Sequence, residues 1–118
     1  MSHPQIDADD AERIDEIVLS IVTRDRSRMA GIAAVEIPEE DLFWPYLDRI
    51  GVTLVAPPAD HLAGTDVRGD PDTDDWIGVD LPLWSEEEGR SDYMLRLRID
   101  LSSSPHPILI RSLGLPQR

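Results

Sequence analysis

The stretch Tyr93-Met94-Leu95-Arg96-Leu97-Arg98-Ile99-Asp100-Leu101 decides the fold. Tyr93, Leu95, Leu97, Ile99 and Leu101 face one way, and Met94, Arg96, Arg98 and Asp100 the other, the period of a half-buried strand. Just upstream, Ile77, Val79, Leu81 and Leu83 alternate in the same way against Trp76, Gly78, Asp80 and Pro82. The polar run Ser85-Glu86-Glu87-Glu88-Gly89-Arg90-Ser91 between them reads as a hairpin turn. Pro82 has no N–H to give a neighbouring strand, so it belongs at an edge or a bulge. Residues 102–107 turn the chain once more, and 108–113 form a last strand. The C-terminal half is therefore an antiparallel meander.

The N-terminal half has a different period. Ile14, Ile17, Val18, Ile21 and Val22 recur at helical spacing and make one apolar stripe. Asp7, Asp9 and Asp10 supply N-cap candidates and suit the positive end of the helix dipole; Arg24, Arg26 and Arg28 suit the other end. Residues 29–37 are small and apolar, a second short helix or an extended link. Pro38-Glu39-Glu40-Asp41 is a helix start, continued by Leu42, Phe43, Tyr46, Leu47 and Ile50, with Gly51 as a C-cap. Pro45 predicts a kink in that helix or a late start. A short strand at 52–55 ends at Pro57-Pro58, and residues 59–75 read as a long Asp-rich loop. Helices followed by an antiparallel meander predict a single α+β domain over 1–118, with 1–8 as a flexible tail. The helices pack on one face of a curved sheet, a cystatin-like or NTF2-like cone.

The chain has 118 residues and a formal net charge of −13, from 24 acidic against 11 basic residues. Every basic residue is Arg, and there is no Cys, which excludes disulfides, thiolate metal sites and cysteine nucleophiles. The acidic stretch from Asp60 to Asp92 carries most of the net charge. Such a balance argues against nucleic acid and anionic lipid as partners, because phosphate contacts need a basic surface. The first residues, MSHPQIDADD, lack the basic start and apolar core of a secretion signal, and no run is long enough to span a membrane. A cytoplasmic location is the expectation.

No residue constellation carries an evident chemistry. Asp70-Pro71-Asp72-Thr73-Asp74-Asp75 resembles the opening of a calcium loop, but Asp75 stands where that motif needs Gly and Leu81 where it needs Glu. His3, His61 and His106 are far apart in sequence, and His61 beside Asp60 reads as an exposed titrating group. Ser102-Ser103-Ser104 is turn chemistry. No catalytic residue, metal or cofactor is assigned. Arg96 and Arg98, on one strand face, are expected to pair with Asp80 or Asp100; on a concave face they would form an anion-binding wall.

Leu54-Val55-Ala56-Pro57-Pro58, followed by Leu83-Trp84-Ser85-Glu86-Glu87-Glu88-Gly89-Arg90-Ser91-Asp92, resembles a family of small uncharacterised bacterial proteins with a PP and LWxxEEGRSDL signature. The likeness spans roughly residues 38 to 113. Tyr93 stands where the signature has Leu, and Pro45 also departs from the pattern. The resemblance implies an NTF2-like α+β fold and a role like that of immunity proteins in toxin systems, and no catalytic residue transfers with it.

The leading expectation is a non-enzymatic acidic binding protein, the inhibitor of a basic toxin. Asp66, Asp70, Asp72, Asp74, Asp75, Glu86, Glu87 and Glu88 would steer the partner, and Trp76 and Trp84 would anchor it. The alternative is a small-ligand protein or minor enzyme, its pocket lined by Trp44, Tyr46 and Tyr93 with Arg96 and His61 at the mouth. A third is a homodimer formed through the outer face of the sheet.

Overall fold

The computed structural model describes residues 6–59, 61–70 and 73–114. It is α+β: three helices and an open, mostly antiparallel sheet of six strands. Helix α1 spans Ala8–Thr23, α2 Arg26–Ala30 and α3 Glu40–Leu47; strands β1 to β6 span Val35–Glu36, Leu54–Val55, Asp66–Asp70, Thr73–Ser85, Gly89–Asp100 and Ile108–Gly114. The sheet order is β1-β6-β5-β4-β2, and β3 also pairs with β4.

The long hairpin β4–β5 is the spine, and its register follows the alternation in the sequence. Ile77 lies opposite Ile99, Val79 opposite Leu97 and Leu81 opposite Leu95. These rows are buried against Ile14, Ile17, Val18 and Ile21 of α1, together with Met29, Trp44 and Leu47. Burying each such side chain contributes about 1.5–3 kcal/mol. The pairing slips between Pro82 and Trp84, the expected bulge. It falls where β4 has only β5 beside it, since β3 pairs no further than Asp80 and β2 begins at Trp84 and Ser85. The missing N–H of Pro82 therefore breaks no ladder.

Several expectations need correction. The 59–75 segment is not one loop: His61–Gly64 is a turn of 3-10 helix, β3 follows, and β4 already starts at Thr73. With only Val67 as an apolar side chain, β3 has little hydrophobic pattern of its own and forms by pairing with β4. Strand β1 is two residues long and parallel to β6. Helix α3 contains Pro45 and ends two residues after it, with Asp48 as the C-cap and Gly51 beyond at φ 75°. Of the expected tail 1–8, Ile6 packs on the core and Ala8 begins α1; residues 1–5 lie outside the described residues. Arg24 does close α1: it adopts the left-handed conformation and its guanidinium donates to the carbonyls of Ile21 and Leu47.

The Asp residues of the first turn do not cap it as expected. Asp7 holds the N-cap position without a side-chain bond, and Asp10 is 2 % exposed. Arg13 Nη2 donates to Asp10 Oδ1 at 2.6 Å, and His106 Nδ1 lies 2.8 Å from Asp10 Oδ2. Arg13 also donates to the carbonyl of Ala33. Near the middle of the same helix, Asp15 Oδ1 lies 2.7 Å from His61 Nε2. Two Asp–His pairs thus tie α1 to the loops at 61 and 106. Removing one member of a buried ion pair strands the other, at a cost of about 3–5 kcal/mol. Asp10→Ala is therefore expected to lower unfolding free energy by about that amount in urea titrations, whereas Asp9→Ala, at an exposed position, changes it by under about 1 kcal/mol.

Candidate functional site: the helix-free face of the sheet

Because α1 and its neighbours cover one face, the alternate residues of β3, β4 and β5 face solvent on the other. There Arg68, Gly69, Trp76, Gly78, Asp80, Arg96, Leu97, Arg111 and Ser112 line a groove of about 540 Å³. Asp80, only partly exposed, is the carboxylate at its centre. Arg68 Nη2 donates to it at 2.8 Å, and Arg96 Nε lies 4.0 Å away. The guanidinium of Arg98 sits 4.6 Å above the Trp76 ring, a stacking that holds the indole in place. Arg111 makes no ion pair among the described residues. It is the extra residue of a bulge, since Arg96 pairs with Ser112 and Leu97 with Ile110. Bulges re-aim side chains at sheet rims, and this one sets Arg111 at the lip of the groove.

Asp66 lies opposite Asp80 on β3, and Asp100 opposite Trp76 on β5. Asp100 is occupied: Ser102 donates to it through both N–H and hydroxyl, which holds its carboxyl below the usual range. Acids thus belong to the β3 side and one end of the face. Toward β6 the face is cationic, with Arg96, Arg98 and Arg111. The ion pairing expected of Arg96 is present with Asp80, and Arg98 uses its charge on Trp76.

The partner residues expected from sequence do not form one patch. Trp76 and Trp84 are both half-buried but eight residues apart on one strand, about 26 Å. Asp66 is exposed on the edge strand β3, opposite Asp80. Asp75 is exposed near Trp76, while Asp72 and the side chains of Asp70 and Asp74 lie outside the described residues. Glu86, Glu87 and Glu88 sit at the other end, at the tip of the β4–β5 hairpin. Glu87 is structural there: its carboxylate accepts the Thr53 N–H at 2.8 and 3.2 Å, beside the bond from Glu86 N to Thr53 O. Ser85 Oγ accepts the Glu88 N–H. Glu86 and Glu88 remain exposed.

Nor do the aromatics expected to line an interior pocket converge. Trp44 is buried in the core. Tyr93 donates its hydroxyl to the Ile50 carbonyl. Tyr46 faces a separate groove beside β6. Arg96 is on the opposite side of the sheet. His61 is not exposed as expected: its side chain is 5 % exposed and its partner is Asp15, while Asp60 lies outside the described residues. His106, Asp7 and Asp10 do bring three potential ligand atoms within 4.8 Å of one another. Both oxygens of Asp10 are already engaged, one by Arg13 and one by His106, so this cluster fastens the helix to the sheet.

Arg111, and Arg68 as the second cation on Asp80, are what sequence reasoning missed. The signal for the rest of the site was the shared parity of Trp76, Gly78 and Asp80 with Arg96 and Arg98. Comparison with protein-family models, with curated proteins and with solved structures yields no match.

Hydrogen bonding holds the Glu87 carboxyl below the ordinary glutamate value of 4.5, the Thr53 N–H being the main cause. A carboxyl depressed in the folded state stabilises above its unfolded value, and the contribution is lost as pH falls through the folded one. The protection of the Thr53 amide, measured against the exchange rate of the unstructured chain, is expected to fall as acid protonates Glu87 in the native protein. Glu87→Gln should lower that protection at neutral pH and remove most of its acid dependence.

Proposed function

We propose that this chain is a non-enzymatic binding protein whose recognition surface is the helix-free face of the sheet, and whose ligand presents an anionic group. One observation supports this reading above the rest. Arg68, Arg96 and Arg111 surround a groove in which Asp80 is the one carboxylate among the described residues that line it. Two of the guanidiniums share that carboxylate and the third is left over. An arginine fork matches carboxylate or phosphate oxygens in bidentate geometry, and the pinned Trp76 supplies a rigid apolar wall. The volume suits a small molecule or a few side chains of a partner. A chain of net charge −13 repels long polyanions at a distance. The ligand accordingly bears one or two anionic groups, not a nucleic-acid backbone.

A second reading, a basic protein partner such as a toxin held by its acidic inhibitor, draws on the hairpin tip. The bonds from Thr53 to Glu87 and from Glu88 to Ser85 preorganise that turn, leaving Glu86 and Glu88 exposed.

Thermal unfolding in the presence of citrate, inorganic phosphate or a quaternary ammonium salt at matched ionic strength tests the first reading. A ligand at about 100 times its Kd adds about 2.7 kcal/mol. Citrate or phosphate is expected to raise Tm, the ammonium salt is not, and Arg96→Ser with Arg111→Ser should abolish the rise. No anion-specific shift, or one that survives the double substitution, defeats the reading. A basic partner would instead be lost on Glu86→Gln with Glu88→Gln and retained in the arginine variant.

A further inference from the structure

Strand β1 accompanies β6 only at Ile108 and Leu109, through Val35 and Glu36. From Ile110 to Gly114, β6 pairs with β5 on one side. On its other side no strand pairs with it among the described residues. Two grooves meet at this open edge. On the helix side, Pro38, Leu42, Phe43 and Tyr46 face Ile110 and Leu113 across a space of about 260 Å³. Leu42 is 65 % exposed and Tyr46 39 %, the large apolar side chains that the fold leaves in water. On the other side is the arginine groove. Arg111 and Ser112 line both.

We propose that this edge takes an extended segment of a partner protein, added to β6 as a further strand, in which apolar and acidic residues alternate. The proposal rests on the reading of the free face as an anion site and names its occupant. Successive side chains of a strand point to opposite faces. A strand seated beside Ile110–Gly114 therefore turns every second residue toward Leu42, Phe43 and Tyr46, and the residues between toward Arg111 and Arg96. The first set is matched by apolar side chains and the second by carboxylates. Main-chain bonds to the open edge supply affinity and the two grooves supply the sequence preference. The seat is about five residues long, so the segment spans about 16 Å.

The other edge strand is not equivalent. Exposed β3 carries Asp66 and Arg68 on either side of Val67, charges of the kind that guard an edge against added strands. A second copy of this chain is a poor match for the β6 edge. An antiparallel copy would set one Arg111 near the other and bring together two bodies of net charge −13.

The full-length chain, isotope-labelled, is titrated with the hexapeptide acetyl-(Val-Asp)3-amide, its lysine counterpart acetyl-(Val-Lys)3-amide, and the acidic peptide N-methylated at alternate residues. The acidic peptide is expected to shift the amide signals of 110–114 and slow their exchange. Affinity should fall by about tenfold or more with the lysine peptide, with N-methylation, and in Arg111→Ser or Leu42→Asp, since each removes about 1.4 kcal/mol or more. Unchanged amide spectra in the absence of peptide establish that the variants are folded. Acidic-peptide binding that ignores N-methylation and Leu42→Asp overturns strand addition while leaving the anion reading intact. Failure of that peptide alongside a positive citrate or phosphate response overturns this proposal alone, and failure of all of them overturns both. Sedimentation as a dimer with 110–114 at its interface gives the edge to a second copy and overturns the proposal as well.

Discussion

The apolar stripe of α1 has one direction, and the sheet must answer it with one face. Ile14, Ile17, Val18 and Ile21 are all but fully buried, and they meet Ile77, Val79, Leu81, Leu95, Leu97 and Ile99 from the long hairpin. A chain of this length has apolar residues for one such layer and not for two. The second face of the sheet is therefore left to water, and whatever this protein recognises there is recognised by residues that the core does not need. Asp10 with His106 and Asp15 with His61 fix where the helix lies along the sheet. These polar ties add position to a contact that hydrophobic burial alone leaves free to slide.

That division also sorts the charges. Acidic side chains are spread over the helices, the loops, the hairpin tip and the β3 side of the sheet, while Arg68, Arg96, Arg98 and Arg111 gather on the helix-free face. Three of these arginines are held without a full set of carboxylates. Arg68 and Arg96 share Asp80, and Arg98 lies on the Trp76 ring. Sharing one carboxylate between two guanidiniums leaves each incompletely paired, which is the condition for exchanging part of that contact with a ligand. Surface pairs of this kind contribute little to folding, about 0–1 kcal/mol each, so little stability is lost when a ligand rearranges them.

How far the sequence speaks depends on whether a feature is local. Helix α1 and the hairpin β4–β5 were legible because their apolar periods, 3.6 and 2, are sustained over many residues. The bulge at Pro82 was legible because proline cannot give an N–H. Strands β1 and β3 were not: Val35-Glu36 is too short to show a period, and β3 has one apolar side chain. Asp10 illustrates a different limit. An Asp in the first turn of a helix normally serves the helix, and only the fold brings His106, ninety-six positions away, to its other oxygen. The candidate site divides along the same line. Arg96, Arg98 and Asp80 share a parity that the sequence displays, whereas Arg68 belongs to a strand hidden in a polar stretch, and Arg111 owes its place to a bulge.

The bulge at Arg111 is where fold and recognition touch. In a regular ladder, residues 110 to 113 would alternate strictly, and one of Ile110 and Leu113 would be turned out of the core. With one extra residue, both remain on the inner side, opposite Leu97 and Leu95, while Arg111 and Ser112 fall to the outer side. The core row is kept, and a cation is gained at the rim. A one-residue deletion at 111 would restore a regular pairing, with Ile110 still opposite Leu97 and Leu113 opposite Leu95, and would remove the cation alone. The guanidinium at the meeting point of the two grooves is thus a consequence of keeping both aliphatic side chains buried. Recognition at this edge and the packing of β6 are therefore separable: removing or replacing residue 111 takes away the cation and leaves the aliphatic row opposite Leu97 and Leu95.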